Sequence, residues 1–238
     1  MNGLWTALSL DPAVHRCVTF VGGGGKTSTM YALAQACRLA GKTVVITTTT
    51  HIMPHPRLPL TDSAGALPAL LAAHGIATLG ARQNGKLTGT GEIGMALAAA
   101  DVVLVEGDGA RLHPLKAPAD HEPVIPPESQ AVVAVAGLDA LGQPIGAICH
   151  RPQQVCALLG QEMDHLITTA DVALLLSHPL GGRKYVTESM AFRCLLNKAD
   201  DARRRQAGKE IASLLARQQI PCGVTYFTEE ERGGACWF

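Results

Sequence analysis

The sequence lacks a surplus of charge of either sign, a long hydrophobic run and any paired cysteine motif. Its 238 residues include 20 Lys+Arg and 20 Asp+Glu, a balance that argues against a nucleic-acid-binding protein, because such proteins neutralise phosphates with a basic surface. No apolar run approaches the ~20 residues of a membrane-spanning helix, so we expect no membrane partner. Residues 1–16 have neither the basic region nor the cleavage site of an export signal, and none is expected.

The seven cysteines are scattered singly and form no C-x-x-C pair, a pattern typical of reduced thiols in the cytoplasm. Apolar residues make up 47% of the chain and charged residues 17%. This composition can build a large core and excludes disorder. We therefore expect a cytoplasmic globular protein in which residues 1–238 form one domain.

Strand and helix patterns alternate along the chain, which predicts an α/β fold with a mostly parallel sheet and helices on both faces. Strands are expected at 17–22, 43–50, 101–109, 131–138, 191–200 and 221–227. Helices are expected at 27–40, 64–74, 91–100, 152–160, 167–179 and 200–219. Pro54, Pro56 and Pro59 predict an insertion without regular structure, and Asn84-Gly85 predicts a small hairpin within 76–89.

The sharpest local pattern is a run of four glycines, Gly22, Gly23, Gly24 and Gly25, followed by Lys26, Thr27 and Ser28. It lies between a strand and a helix, where backbone amides and the helix dipole can hold a phosphate. Lys26 would reach the β- and γ-phosphates, and the Thr27 hydroxyl would ligate Mg²⁺. The longer G-x-x-x-x-G-K-[ST] pattern fails at Phe20, but the shorter G-x-x-G-K-T is met in full. The alternative is a glycine-rich turn with a solvated lysine.

A second motif ends the strand that begins at Asp101. Glu106 and Asp108 would point to the same side of an extended chain, where one carboxylate would hold Mg²⁺ and the other would position the attacking nucleophile. The sequence does not decide which acid has which role. Lys26, Glu106 and Asp108 are the expected catalytic residues, and Thr27, Glu106 and Asp108 the expected metal ligands.

A third motif, N-K-x-D, comprises Asn197, Lys198 and Asp200 after a hydrophobic strand. In guanine-nucleotide-binding proteins, this tetrapeptide reads the base: the aspartate accepts hydrogen bonds that adenine cannot donate, and the unpaired carboxylate penalises the wrong base. The motif predicts GTP as the nucleotide, with ATP as the alternative. A structural explanation is that Asn197 or Asp200 caps the next helix.

Other polar residues have weaker claims. A hydroxyl of Thr47–Thr50 could contact a phosphate at the strand end, and the segment from Arg111 to Lys116 could bind substrate. Arg151 could approach a phosphate or begin a helix before Pro152. Neither the histidines at 51 and 55 nor the Cys149-His150 pair with Cys156 has the ligand spacing of a transition-metal site.

Taken together, these motifs resemble the YqeC family, described as accessory proteins for selenium-dependent molybdenum hydroxylases. The matching segments, in order, are VGGGGKTS, TTTT, LVEGDGA, PLKAP, EPVIP, GLDALG, HRP and LLNKAD. The resemblance implies a P-loop nucleotide-binding fold and a role in maturing or inserting a selenium- or molybdenum-containing cofactor. The implied partner is the hydroxylase or a cofactor-assembly protein.

Glu106 and Gly109, with the later N-K-x-D, are also similar to the GTPases that assist nickel and cobalamin-type metal insertion. The Cys/His metal motifs of those GTPases are missing from this sequence, which argues against a metal-carrying role.

Three functions remain open at this point. The first is a Mg²⁺-dependent nucleotide-binding protein, with GTP favoured, that hydrolyses the nucleotide during hydroxylase maturation. The second is an ATP-dependent ligase, kinase or nucleotidyl transferase that acts on a cofactor precursor. The third is a non-catalytic chaperone whose loops change order when a nucleotide binds.

Overall fold

Strands alternate with helices along residues 3–227, which are the residues described by the computed structural model. The strands, numbered in chain order, are β1 (Cys17–Gly22), β2 (Val44–Thr48), β3 (His51–Ile52), β4 (Leu60–Thr61), β5 (Ile76–Leu79), β6 (Ala81–Gln83), β7 (Lys86–Thr88), β8 (Val102–Glu106), β9 (Leu115–Lys116), β10 (Ala131–Gly137), β11 (Cys149–His150), β12 (Ala191–Asn197) and β13 (Cys222–Val224).

The helices fall between these strands. They are α1 (Gly3–Ala7), α2 (Lys26–Leu39), α3 (Leu67–His74), α4 (Ile93–Ala99), α5 (Ile145–Ile148), α6 (Pro152–Leu159), α7 (Thr169–Ser177) and α8 (Ala202–Ala216), with 3-10 turns at Ala64–Ala66 and Leu138–Ala140. No helix among the described residues is both long and apolar enough to span a bilayer.

Eight strands form one sheet in the order β13-β12-β10-β1-β8-β2-β5-β4. Every neighbouring pair in this sheet is parallel. The prediction of an α/β fold with a mostly parallel sheet is therefore confirmed. Because parallel strands end at the same edge, the loops that follow β1, β8, β10 and β12 meet on one side of the molecule, where ligands bind in such sheets.

Helices cover both faces of the sheet, as the nearly continuous apolar strands require. In β8, Val102 and Leu104 belong to a core that includes residues of α1 and α2. Val103 and Val105 point to the other face, into a core shared with α3 and α4. A third core on that second face packs α6, α7 and α8 against β10 and β12.

The proline-rich insertion differs from the sequence prediction, because it contains regular structure. β4 joins the edge of the main sheet beside β5, and the amide of Thr78 donates a 2.8 Å hydrogen bond to the oxygen of Pro59. Proline is tolerated here because an edge strand needs only one set of ladder bonds. β3 instead pairs with β7 of the predicted hairpin, whose turn at Asn84 and Gly85 has positive φ at both residues.

Several strands are shorter in the structure than the sequence predicts. β12 ends at Asn197 rather than Asp200, because Lys198 adopts a left-handed conformation with φ of 63°. β8 likewise ends at Glu106, before the two glycines that flank Asp108. In both places the polar motif lies in the turn that leaves the strand.

Candidate functional site

Residues 22–25 form a tight loop between β1 and α2. Gly22, Gly24 and Gly25 adopt positive φ angles of 92°, 75° and 116°, a region that side chains with a Cβ rarely occupy. Space is restricted as well. A Cβ on Gly24 would clash with the backbone nitrogen of Gly137, and one on Gly25 with the side-chain nitrogen of Asn197. Glycine is therefore required in this loop for both conformation and packing.

The loop has two kinds of backbone amide. Those of Gly23 and Gly24 are already used, donating to the oxygens of Val135 and His113 at 2.9 and 3.1 Å. The next four amides, those of residues 25–28, have no acceptor within residues 3–227. They begin α2, a helix of 14 residues, whose positive dipole end favours an anion. The open amides and the helix end together form a cradle of the kind that binds phosphate.

Thr27 and Glu106 meet at the edge of this cradle. The Thr27 hydroxyl donates a 2.7 Å hydrogen bond to Oε2 of Glu106, which ends β8 beside Phe20 of β1. Mg²⁺ prefers such hard oxygen ligands and takes the rest of its shell from phosphate and water. The oxygen donors of Thr27 and Glu106 are therefore of the kind that would hold a magnesium ion.

Asp108 has a different environment, although it lies only two residues further along. Both of its carboxylate oxygens accept from the amide of Gly22, at 3.1 and 3.0 Å. They also pair with Lys26 at 3.2 Å and with Lys116 at 3.0 Å. Asp108 therefore holds the glycine loop and two lysines, whereas Glu106 contacts the threonine hydroxyl.

The ammonium group of Lys26 is buried among acceptors. It donates to the oxygen of Gly22 at 2.6 Å and lies 3.8 Å from Glu106. Burial opposes the charged form of Lys26, but the carboxylates of Asp108 and Glu106 outweigh it and raise the pKa of the lysine. Burial raises the pKa of Glu106, and Lys26 and the Thr27 hydroxyl oppose that rise without cancelling it. A strongly held cation thus faces a carboxylate that is costly to ionise.

Alternating charges continue from Asp108 away from the loop. Lys116 lies 2.6 Å from Glu122, which is paired in turn with Arg151 through contacts of 2.7 and 3.1 Å. Burial by itself would raise the pKa of Glu122, but Lys116 and Arg151 lower it overall. The chain Lys26–Asp108–Lys116–Glu122–Arg151 therefore connects the glycine loop to the start of α6.

Arg111, Lys116 and Arg151 were predicted as candidate ligand contacts, whereas Glu122 entered only as the first residue of the family segment EPVIP. Lys116 and Arg151 converge on that carboxylate, whereas Arg111 is exposed and has no ion pair within residues 3–227. The partners of Glu122 are 6 and 29 residues distant in sequence. No periodic pattern links residues at such spacings, so the sequence alone does not show that Glu122 pairs with Lys116 and Arg151.

The N-K-x-D residues lie beside the glycine loop. Nδ2 of Asn197 donates to the oxygen of Gly24 at 3.1 Å, and its Oδ1 accepts from the amide of Lys198 at 2.7 Å. The ammonium group of Lys198 pairs with Asp139 at 2.6 Å. The structure thus brings the third motif to the same edge of the sheet as the first two.

Asp200 is exposed at the entrance of α8, where it pairs with Arg204 at 3.2 Å. It is not the helix cap. The cap is Asp201, whose side chain accepts from the amide of Arg204. The sequence allowed either Asp200 or Asn197 to cap α8, but in the structure Asp201 is the cap.

The threonines at the end of β2 are hydrogen-bonded within the protein. Thr47 donates to the oxygen of Leu79 at 2.8 Å, and Thr48 to the oxygen of Glu106 at 2.9 Å. The hydroxyl of Thr49 donates to the oxygen of Val124 at 2.8 Å. Their structural role is to join β2 to the acidic end of β8 and to the following loop.

The histidines and cysteines weighed as metal ligands lie elsewhere. His55 packs edge-on against Tyr31, with ring centroids 4.6 Å apart. His150 stacks on His113, and burial together with Arg151 lowers its pKa to about 4. Among the described residues, no three His, Cys, Asp or Glu side chains are grouped to hold a metal ion.

Comparison with known proteins assigns this architecture to a family. A model of the YqeC protein family matches residues 18–153. That range contains the glycine loop and the acidic end of β8 but not the N-K-x-D motif. A protein of Escherichia coli (strain K12), described as the uncharacterized protein YqeC, is 32% identical over 231 residues, and the alignment covers 90% of each chain.

Proposed function

The chain belongs to the YqeC family, and we propose that it is a cytoplasmic, Mg²⁺-dependent nucleotide-binding protein that binds and hydrolyses GTP. The observation that carries this proposal is the meeting of three elements at one edge of the sheet. They are the open amides of residues 25–28, the contact between Thr27 and Glu106, and the contact between Asn197 and Gly24. Each corresponds to one part of a Mg-nucleotide.

Phosphate binding follows from the amides and from Lys26. Four free donors at a helix start would hold the β- and γ-phosphate oxygens. Lys26 is at present held by Asp108, Glu106 and the oxygen of Gly22. A triphosphate offers stronger negative charge at the same place, so we expect the ammonium group to move from the carboxylates to the phosphates.

Movement of Lys26 changes the roles of the two acids. Thr27 and Glu106, whose hydroxyl and carboxylate are in contact, would hold the metal ion. A bound Mg²⁺ would neutralise charge on the phosphate oxygens. Asp108 keeps Lys116 and the amide of Gly22, and from that position it can orient a water for attack. Catalysis here would consist of positioning and charge stabilisation, as in other phosphoryl transfers.

Base recognition is assigned to Asn197, Lys198 and Asp200. Asn197 holds the loop, Lys198 lies in the turn after β12, and Asp200 is exposed. A guanine edge offers the carboxylate two donors, and adenine does not, which is the basis of the proposed preference for GTP.

The biological role that we propose is assistance in the maturation of a selenium-dependent molybdenum hydroxylase or of its cofactor. Its support is the family resemblance of the motifs. The hydroxylase or a cofactor-assembly protein would be the partner that detects the nucleotide state.

Isothermal titration calorimetry with Mg·GTP, Mg·GDP and Mg·ATP tests the proposal on the full chain. We expect GTP to bind at least tenfold more tightly than ATP, and Lys26→Ala to abolish binding. Lys209→Ala is the matched control, because it removes an exposed lysine of α8 far along the chain from the loop. Thr27→Val should weaken only Mg²⁺-dependent binding. Absence of any nucleotide binding by the folded wild-type protein would refute the proposal.

An ATP-dependent transferase is the second candidate, and one observation favours it. A cavity lies between β4, β5 and the antiparallel sheet, and His55 is one of its lining residues. His55 packs on Tyr31, which lies one turn of α2 after Thr27. A second substrate there would be close to the phosphates. Analysis of reaction products with candidate acceptors distinguishes this candidate, because simple hydrolysis releases only phosphate and nucleoside diphosphate.

A further inference from the structure

Lys198, the lysine of the N-K-x-D turn, is held both at its backbone and at its ammonium group. The backbone adopts a left-handed φ of 63°, and its amide donates a 2.7 Å hydrogen bond to Oδ1 of Asn197. The ammonium group lies 2.6 Å from Oδ2 of Asp139. Within residues 3–227, the ammonium group has no other hydrogen-bond or ion-pair partner. The two contacts therefore fix the position of the four-carbon stem between them.

Asp139 packs against the backbone that supports the glycine loop. It lies in the 3-10 turn Leu138–Ala140, directly after β10, and β10 lies between β12 and β1. Its Oδ1 is so close to Gly137 that a Cβ on that glycine would clash with it, and Gly137 packs in the same way against Gly24. That oxygen has no hydrogen-bond partner among the described residues. The carboxylate is therefore confined by packing, and Lys198 is the partner that compensates its charge.

The pair of Asp139 and Lys198 lies between the two ends of the proposed nucleotide site. It joins the turns after β10 and β12, and the glycine loop follows β1 on the other side of β10. The Lys198 side chain is 32% exposed, so part of it is open to a ligand. A lysine stem can cover an apolar surface while its ammonium group keeps a polar contact. The stem of Lys198 therefore offers a surface on which the flat face of a base can pack.

We propose that Asp139 is a positioning residue for nucleotide binding, because it orders the Lys198 stem as one wall of the base site. A lysine without this partner would lose rotamer freedom when a base packs on it, and immobilising one such side chain weakens binding about two- to tenfold. Asp139 removes that cost before the ligand arrives. The stem contacts the face of the base rather than its edge, so guanine and adenine benefit alike. This inference rests on the proposed function, since it concerns the base end of the same site.

Calorimetry of the full chain tests the inference, with Mg·GTP, Mg·ATP and the Mg²⁺ complex of inorganic tripolyphosphate, which has no base. Asp139→Asn should weaken the binding of both nucleotides about two- to tenfold and leave the affinity for tripolyphosphate unchanged. Lys198→Met keeps an unbranched stem without the ammonium group, and it should have the same effect. Because both substitutions remove one contact, the double variant should bind no more weakly than either single variant.

Glu210→Gln is the matched control. It removes one carboxylate charge from an exposed position of α8, where the side chain accepts a hydrogen bond from Gln206. All three affinities should remain at the wild-type values in this variant.

The outcomes separate this inference from the proposed function. If the wild-type protein binds no nucleotide, both fail. If the wild type binds GTP, and either Asp139→Asn or Lys198→Met retains the wild-type affinity, only the inference is overturned. An equal loss of tripolyphosphate affinity in Asp139→Asn would also overturn it, because Asp139 would then support the glycine loop rather than Lys198. Additive losses in the double variant would show that the two residues act separately, which is a further way for the inference to fail.

Discussion

Nδ2 of Asn197 donates a 3.1 Å hydrogen bond to the backbone oxygen of Gly24, across 173 residues of sequence. The two residues lie at the ends of β12 and β1, with β10 between those strands. Asn197 is 3% exposed, and Gly25 packs against its side chain so closely that a Cβ would not fit. The turn proposed to recognise the base is therefore also part of the support for the phosphate loop.

Replacement of this asparagine should affect both nucleotides alike. In Asn197→Ala, the oxygen of Gly24 and the amide of Lys198 lose their side-chain partner, and we expect a loss of about 1–2 kcal/mol in the free energy of unfolding. The loosened loop should bind Mg·GTP and Mg·ATP at least tenfold more weakly. Urea denaturation and calorimetry measure the two effects. A loss confined to GTP would contradict this role and indicate that Asn197 contacts the base itself.

The environment of Glu106 predicts that its ionised carboxylate lowers stability while it supports ligand binding. Because burial raises its pKa, the folded state favours the protonated acid. Ionisation of Glu106 therefore costs stability. The free energy of unfolding falls progressively as the pH rises from the ordinary value of 4.5 through the raised pKa. Glu106→Gln removes that cost and retains an acceptor for Thr27. We expect the ligand-free variant to melt at a higher temperature than the wild type at neutral pH, and to lose Mg²⁺-dependent nucleotide affinity.

Thermal melts across pH check this expectation. The difference in melting temperature between variant and wild type should shrink as the pH falls and Glu106 becomes protonated in the wild type. A variant that is less stable than the wild type at neutral pH would show that the ion pair with Lys26 outweighs the burial of Glu106.

Some parts of the candidate site could be predicted from sequence, and the reason is local. A strand, four glycines and a helix follow one another directly at residues 17–40, and that order dictates where the amides of the loop point. Asn197 follows a hydrophobic strand in the same way. Since parallel strands end at one edge, the proximity of these two motifs follows once the sheet is known to be parallel.

Other parts could not be predicted, because they depend on how long loops fold back. Glu122 meets Lys116 and Arg151 only through the path of the segment between β8 and β10. Lys198, which follows β12, pairs with Asp139, which follows the neighbouring strand β10. The cavity around Thr78 depends on β4, an edge strand that was not predicted because the neighbouring prolines indicated irregular structure. Neither periodicity nor spacing encodes such contacts.

The Glu122 network should contribute strongly to the stability of the fold. Glu122→Gln leaves the buried ammonium of Lys116 and the guanidinium of Arg151 without their shared carboxylate. Breaking a buried pair in this way costs about 3–5 kcal/mol. Asp139→Asn provides the comparison, because its pair with Lys198 is about one-third exposed, and an exposed pair contributes about 0–1 kcal/mol. Urea denaturation measures both. Equal effects would show that the Glu122 network is screened like a surface pair.

The same carboxylate predicts a pH dependence of the opposite sign to that of Glu106. Lys116 and Arg151 lower the pKa of Glu122 in spite of its burial. Its ionised form therefore stabilises the fold above the ordinary value of 4.5, and that contribution is lost as the pH falls through the lowered pKa. We expect wild-type stability to fall below pH 4.5 more steeply than that of Glu122→Gln. Parallel curves for the two proteins in urea titrations at acidic pH would contradict this assignment.

Two adjacent aspartates separate base recognition from helix capping. Asp201 caps α8 by accepting from the amide of Arg204 at 2.8 Å, so Asp201→Ala should lower the free energy of unfolding by about 1 kcal/mol and leave the ratio of GTP to ATP affinity unchanged. Asp200→Ala removes a partly exposed pair with Arg204, which contributes about 0–1 kcal/mol. It should nevertheless weaken GTP binding at least tenfold while ATP binding is retained.

Each variant serves as the control for the other, since they remove the same charge one residue apart. If Asp200→Ala reduced GTP and ATP affinity equally, the N-K-x-D turn would support the loop without reading the base, and ATP would become the better candidate.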